Sequence, residues 1–245
     1  KSMKGYLRNV GYYYSQIEDS VTFDEENRSV IVKYYIDEGI PYRYLSFKRS
    51  ISDPRIESLL KNASLKWPQK ETTFNAYKLD DLRYNLSEVL RDEGYFGFGP
   101  DQVTFFADTL NKNKQVRVEM KIFPNEIKED TISEVSTFPV SVFHDINVVN
   151  YPYQLDLMKD KNLKTVYFGA DSLSFDFYGR MEYKPFLVHR RLDVLKDSLY
   201  RQSDVARSIR AISALGIFKS VQFKITPNDQ QNLNDSIQDL DVELQ

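Results

Sequence analysis

Cysteine is absent from all 245 residues, which excludes disulfides, thiolate zinc sites and cysteine nucleophiles within the chain. Histidine occurs twice. An imidazole-based catalytic or metal cluster therefore has only His144 and His189 to draw on, and these fall in different predicted elements without clustered partners. Excess positive charge is missing as well: 33 Lys and Arg stand against 36 Asp and Glu, so nothing favours a nucleic-acid partner. No apolar run approaches membrane-spanning length, and Lys1 to Gly11 is too charged for a signal peptide. Short-period repetition is lacking too. The helix-stop glycines Gly11, Gly94 and Gly216 are 83 and 122 residues apart, a spacing of domain size that excludes a short-period solenoid.

Three patterns that mimic chemistry do not survive inspection. Asp80 and Asp81 are adjacent on a predicted helix, where neighbouring side chains diverge by about 100° instead of facing each other. They are better read as acidic residues near the positive end of that helix. "GYFGFG" follows a helix and enters a strand, the reverse of a phosphate-binding helix start. The sequons at Asn62, Asn85 and Asn234 are three-residue matches from which nothing is inferred. No catalytic, cofactor-binding or metal-binding residue is assigned, no cofactor is expected, and the chain is not expected to be an enzyme.

What is present is an ordinary globular composition, 28% charged and 14% aromatic, long enough for two modest domains. After Gly11, which closes a helix remnant, alternating stretches Ser15–Phe23 and Ser29–Ile36 flank a polar turn and predict a hairpin. A break at Gly39 and Pro41 precedes a strand from about Tyr44 to Ile51. Asp53 and Pro54 then open a helix, the carboxylate accepting free backbone N–H groups and the proline occupying a position that needs no donor. Leu79, Leu82, Leu86, Val89 and Leu90 recur at helical spacing and predict a second helix. Gly94 stops it. Strands at about Gln102–Asp108 and Gln115–Phe123 complete the order strand, helix, helix, strand, strand.

A second copy follows the linker at 126–141. Its strand is expected at Val142–Asn150 and its first helix around Lys184–Leu195. The second helix is lined by Val205, Ile209, Ile212 and Leu215, capped by Ser203 and stopped by Gly216. Strands over "SVQFKIT" and "DLDVELQ" end it. An insertion at about 151–183 lies between the first strand and first helix, and an extra hairpin is one reading of its aromatic stretch. Tyr95, Phe96, Ile217 and Phe218, which follow the glycines, are expected to be core residues that pin each helix end to its sheet. The organisation expected is 1–36, the C-terminal part of a preceding module; 37–125, complete; 126–141, a linker; and 142–245, complete with an insertion. The chain reads as an excerpt of a longer protein.

This order, with "LRDEGYFGF", "EGIPYRYLSF" and "YRQSDVARSIRAISALGIFKSVQF", resembles the polypeptide-transport-associated (POTRA) domains of the BamA/TamA superfamily of outer-membrane assembly proteins. The insertion and "LDVELQ" are similar to the lipid-anchored TamA-like members of Bacteroidota, called TamL. The resemblance implies an α+β fold of tandem POTRA domains, β-α-α-β-β, each a three-stranded mixed sheet covered by two helices. It also implies a place on the periplasmic face of the outer membrane of a Gram-negative bacterium of the Bacteroidota. The implied partners are barrel precursors or a TamB-like periplasmic protein, with a C-terminal barrel in the parent. In such folds the first strand of the hairpin lies at a sheet edge, where an extended segment can add as another strand. Gln102, Thr104, Phe105, Gln222 and Lys224 are the candidate contacts. Two rivals stand beside this reading: the arm of a two-partner secretion transporter, and a periplasmic glycan- or lipid-acting enzyme using the aromatic insertion.

Asp followed by Ser or Thr and an aliphatic residue occurs six times, where composition gives roughly one. The pattern resembles the O-glycosylation motif of exported Bacteroidota proteins, with acceptors Ser20, Thr109, Thr131, Ser172, Ser198 and Ser236. Turns and helix caps use the same dipeptides.

Overall fold

The computed structural model describes residues 2–111, 113–122, 138–150, 163–168, 173–178, 181, 183–227 and 237–244. The chain divides into two compact units: Lys1–Leu86 with Gly99–Ile132, and Ser87–Phe98 with Ser133–Gln245.

In the first unit, helix α1 (Met3–Asn9) leads through Gly11 into a hairpin of β1 (Gln16–Asp24) and β2 (Ser29–Asp37). The turn is fixed by Asp24, whose carboxylate accepts both the backbone and side-chain N–H of Asn27 at 3.0 and 2.9 Å. Pairing of Ile17 with Ile36, Val21 with Val32 and Phe23 with Val30 puts these six apolar residues on one face, while Ile31 and Tyr35 lie on the other. The first face stays exposed: Phe23 is 72% and Val30 54% accessible.

Next come β3 (Arg43–Ile51), α2 (Pro54–Asn62), α3 (Ala76–Asp92), a 3-10 turn (Pro100–Gln102), β4 (Val103–Asn111) and β5 (Gln115–Ile122). The three strands form a mixed sheet in the order β3-β5-β4, with β3 parallel and β4 antiparallel to β5. The expected α+β module is thus formed. Asp53 caps α2 as expected: Oδ1 accepts the Arg55 N–H at 2.9 Å, and Pro54 is the first helical residue. Its side chain is fully buried against the Arg55 guanidinium, 2.8 Å away. Burial alone raises the Asp53 pKa, but the Arg55 hydrogen bonds and charge outweigh it and hold the carboxyl below its ordinary value.

Leu79, Leu82, Leu86 and Leu90 form the buried stripe of α3, and Val116, Val118, Met120 and Ile122 are the buried side of β5. The helix starts earlier than the leucine pattern suggests. Asn75 Oδ1 accepts the Lys78 N–H at 3.2 Å, so Asp80 and Asp81 lie a turn inside the helix, and its first turn holds no acidic residue. Asp80 pairs instead with Arg83 at 3.4 Å.

In the second unit β6 (Val140–Asn150) begins two residues before the expected start. It is followed by β7 (Leu163–Phe168), β8 (Leu173–Tyr178), α4 (Pro185–His189), α5 (Gln202–Ser213), β9 (Phe223–Pro227) and β10 (Ile237–Leu244). The insertion does contain a hairpin. β7 and β8 pair with each other, and β8 adds parallel to β6 over Asn147–Asn150, so the expected three strands become five in the order β7-β8-β6-β10-β9. Asp176 fastens the addition, accepting from Thr165 Oγ1 at 2.6 Å and Asn147 Nδ2 at 2.9 Å.

Two helix assignments need correction. The first helix is five residues long because the chain leaves it to insert Leu192 and Val194 into the core, while Ser208 Oγ accepts the Asp193 N–H at 2.8 Å. Ser203 does not cap α5. The N-cap is Arg201, and the Ser203 N–H donates to Asp92 Oδ1 at 2.8 Å. The core joins Phe143, Ile146, Phe175, Val188, Tyr200 and Ile212 with partly buried Phe96 and Phe218. Of the residues after the glycines, Tyr95 is buried as expected, whereas Ile217 is 52% exposed.

Candidate partner-binding edge

Among the described residues β4 is an edge strand of nine residues without proline, paired with β5 on one side. Its other side offers alternate backbone N–H and C=O groups, the condition for strand addition. The sequence candidates divide across this element. Gln102 lies in the preceding turn, where its Oε1 accepts the Gly99 N–H at 3.2 Å. Thr104 is exposed on β4. Phe105 faces the helices, half-buried near Phe47 at 6.3 Å with the Arg83 guanidinium over its ring at 5.5 Å. It is a packing residue.

Phe106, the next residue and therefore on the opposite face, is 53% exposed and was not among the candidates. Strict alternation along β4, with Phe105 assigned to the helix side, is the signal that finds it. The Lys121 ammonium lies 4.8 Å from its ring. Beside it Glu119 sits 3.4 Å from Lys48 and 3.9 Å from Lys121. The Ser50 hydroxyl, donating at 2.7 Å, and the two ammonium groups lower the Glu119 pKa. The face beside the open edge is thus an aromatic ring in a lattice of charges.

The corresponding edge of the second sheet, β9, has five residues and ends in Pro227, which offers no N–H. Lys224 is exposed on it, and Gln222 is exposed just before it. The other edge of the first sheet is closed at its start, where Tyr44 donates to Thr72 O and Phe74 donates to Tyr42 O, both at 2.9 Å. Of these edges, β4 is the one suited to a long added strand.

The described part of the insertion holds no converging acidic groups, Asp176 being engaged in pinning the hairpin. Among the described residues no three His, Asp or Glu are grouped to hold a metal. His189 packs edge-on against Phe168 at 5.2 Å, and His144 Nδ1 lies 3.4 Å from Asp145. Of the glycosylation candidates, Ser20 is exposed on β1, Thr109 is half-buried on β4, and Ser198 Oγ donates to Leu195 O at 2.6 Å. Thr131, Ser172 and Ser236 lie outside the described residues.

No protein-family model matches the chain, and no curated protein does. Among solved structures, the chain is similar to POTRA3–5 of BamA from Haemophilus influenzae, at 15% identity, covering 99% of this chain and 76% of that one, with a TM-score of 0.48. Others are BamA from Haemophilus ducreyi lacking POTRA domains 1–3 (10% identity, 83% of this chain and 29% of that one, TM-score 0.49) and POTRA1–3 of Omp85 from Anabaena (9%, 97% and 76%, 0.29). These neighbours come from BamA and Omp85. The β-α-α-β-β order, parallel outer pairing and two-helix cover described above are the chain's own evidence for POTRA-type modules.

Proposed function

We propose that the chain is a periplasmic arm of tandem POTRA domains in an outer-membrane assembly or translocation factor of the BamA/TamA kind. TamL of Bacteroidota is the member its sequence wording is most similar to. In this reading extended segments of barrel precursors, or of a TamB-like partner, add to β4 as a fourth strand. The observation that carries it is the nine-residue, proline-free open edge with Phe106 and Lys121 beside it. Each added backbone hydrogen bond contributes about 0.5–1.5 kcal/mol net, so four or five barely offset the cost of association. Phe106 supplies the apolar contact that backbone pairing lacks, and repetition of modules supplies the remaining affinity.

The domain organisation belongs to the same proposal: 37–125 and 142–245 are complete modules, and 1–36 is the end of another. The exposed hairpin supports this. Val30, Val32, Tyr34 and Ile36 alternate on β2 as Val116, Val118, Met120 and Ile122 do on β5, where two helices cover them. A two-stranded hairpin alone is at best marginally stable.

The test places photo-crosslinkers at Thr104, Phe106 and, as a control, the exposed helix residue Tyr84 in the native envelope. Expected are crosslinks to barrel precursors or to one long periplasmic partner from the β4 positions and none from position 84. Equal capture at all three positions, or silence at β4, refutes edge addition.

A further inference from the structure

The glycine that ends the second helix recurs three times, and at two of its occurrences it makes the same joint. The Gly11 carbonyl accepts the Tyr42 N–H at 2.9 Å, and the Gly94 carbonyl accepts the Ser141 N–H at 2.7 Å. Tyr42 and Ser141 stand at the start of β3 and β6, and each receives a further N–H on its own carbonyl at 2.9 Å, from Phe74 and Tyr200 respectively. The aromatic two residues past each glycine lies edge-on against this collar, Tyr13 on Tyr42 at 4.9 Å and Phe96 on Tyr200 at 5.1 Å. Both glycines are buried and share a φ of 98°. A Cβ on them would lie 2.8 Å from Phe74 O and 2.7 Å from Leu199 Cδ1.

Gly216 ends α5 in the same left-handed sense, with φ 69°, but among the described residues a Cβ there would meet nothing within 4 Å. The residue after it shows the same contrast. Tyr12 is half-buried and Tyr95 is buried, whereas Ile217 is 52% exposed. Beside the loop, Leu215, Phe186 and Leu187 with Arg190 and Arg191 line a cavity of about 200 Å³, and Phe186 and Leu187 are 46% and 41% exposed.

We propose that the Gly216–Ile217 turn is the acceptor half of a third joint, Phe218 being already packed edge-on against Tyr183 at 5.0 Å, and that its occupant is the opening of a β-strand in the same polypeptide. A second copy of this chain does not fit, because its donating residues Tyr42 and Ser141 are already engaged. The two filled joints connect residues 31 and 47 positions apart in sequence, which puts the third donor 31 to 47 positions after Gly216, past Gln245. Its chemistry is a backbone N–H directed at the Gly216 carbonyl, with apolar side chains to cover Ile217 and enter the cavity. The two guanidinium groups favour an acidic neighbour. The inference rests on the filled copies and stands whether or not clients add to β4.

The experiment puts a photo-reactive phenylalanine at positions 13, 96 and 217 of the native polypeptide in its own envelope and sequences the crosslinked peptides. Positions 13 and 96 report filled joints, yielding peptides with Tyr42 or Phe74 and with Tyr200. Position 217 is expected to yield a peptide of the same polypeptide past Gln245. A crosslink from 217 to another protein, to lipid, to residues before Gln245, or to nothing overturns the proposal. Ile217→Asp gives the second readout. It is expected to leave the urea midpoint of the 245-residue chain unchanged while lowering crosslinking from position 187 at least tenfold in the native polypeptide. An unchanged yield, or equal loss of stability in the 245-residue chain, would show that Ile217 serves only its own module.

Discussion

Replacing the three glycines by alanine separates what backbone conformation costs from what close packing costs. All three have positive φ, a penalty of about 1–2 kcal/mol for a residue with a Cβ. At Gly216 that is the whole effect expected, since no described residue comes within 4 Å of the added Cβ. At Gly94 the new methyl meets Leu199 Cδ1 at 2.7 Å and Val140 Cγ1 at 2.8 Å, side-chain ends that can shift. Overpacking of this kind adds about 1 kcal/mol. At Gly11 it meets the Phe74 carbonyl at 2.8 Å and the Tyr42 carbonyl at 3.3 Å, backbone atoms tied to each other by the Phe74 to Tyr42 hydrogen bond. There the overlap adds about 2–3 kcal/mol. The expected order of destabilisation is Gly11→Ala, then Gly94→Ala, then Gly216→Ala. Trp67, packed between Phe47 and Arg49, reports urea unfolding of the first unit. Amide exchange at Tyr42 and Ser141 reports the joints directly, about tenfold in rate per 1.4 kcal/mol. Equal effects at all three positions, or a neutral Gly11→Ala, would refute the reasoning.

Other outcomes follow from the core and the surface. Asp53→Ala removes a helix cap and the carboxylate that pairs with Arg55, a loss of about 0.5–2 kcal/mol by denaturant titration. Because the folded pKa of Asp53 lies below its unfolded value of about 3.9, its contribution is full above that value and disappears as pH falls through the folded pKa. Acid titration of the wild type against Asp53→Asn shows this as a difference present at about pH 6 that shrinks as pH falls below the unfolded value. Leu86→Ala, at a fully buried position of α3, is expected to cost about 2–5 kcal/mol. If the exported chain is glycosylated, Ser20 is the acceptor expected among the described candidates, since Ser198 already donates its hydroxyl proton. Intact mass of host-derived protein and of Ser20→Ala measures it, and an unmodified wild-type mass rejects it.

Local signals carried the fold well because they are physically local. The Asp53–Pro54 cap, the leucine stripe of α3 and the alternation of β1, β2 and β5 are each set by chemistry within a few residues. What escaped depends on residues far apart in sequence. Ser203 looks like a cap until Asp92, 111 positions earlier, takes its N–H. The helix expected over 184–195 stops at His189, and beyond it Leu192 and Val194 enter the core while Ser208 accepts the Asp193 N–H. Nothing in "VYFGADSLSFDFYG" states that β8 will pair with β6. At the candidate edge the strand was legible but its facing was not, and a one-residue shift separates a packing phenylalanine from an exposed one.

The added hairpin also changes when strands find partners. β3 pairs with β5 across 72 residues, Arg43 with Gln115, and β6 pairs with β10 across 97, Val140 with Ile237. At about 5–20 residues per second of chain emergence, β6 alone would wait several seconds with its apolar residues unpaired, whereas hairpins close in microseconds. The β7–β8 hairpin meets β6 only 27 residues on, Asn147 with Ser174. It therefore offers the Asn147–Asn150 end of β6 a pairing partner that emerges well before β10 does.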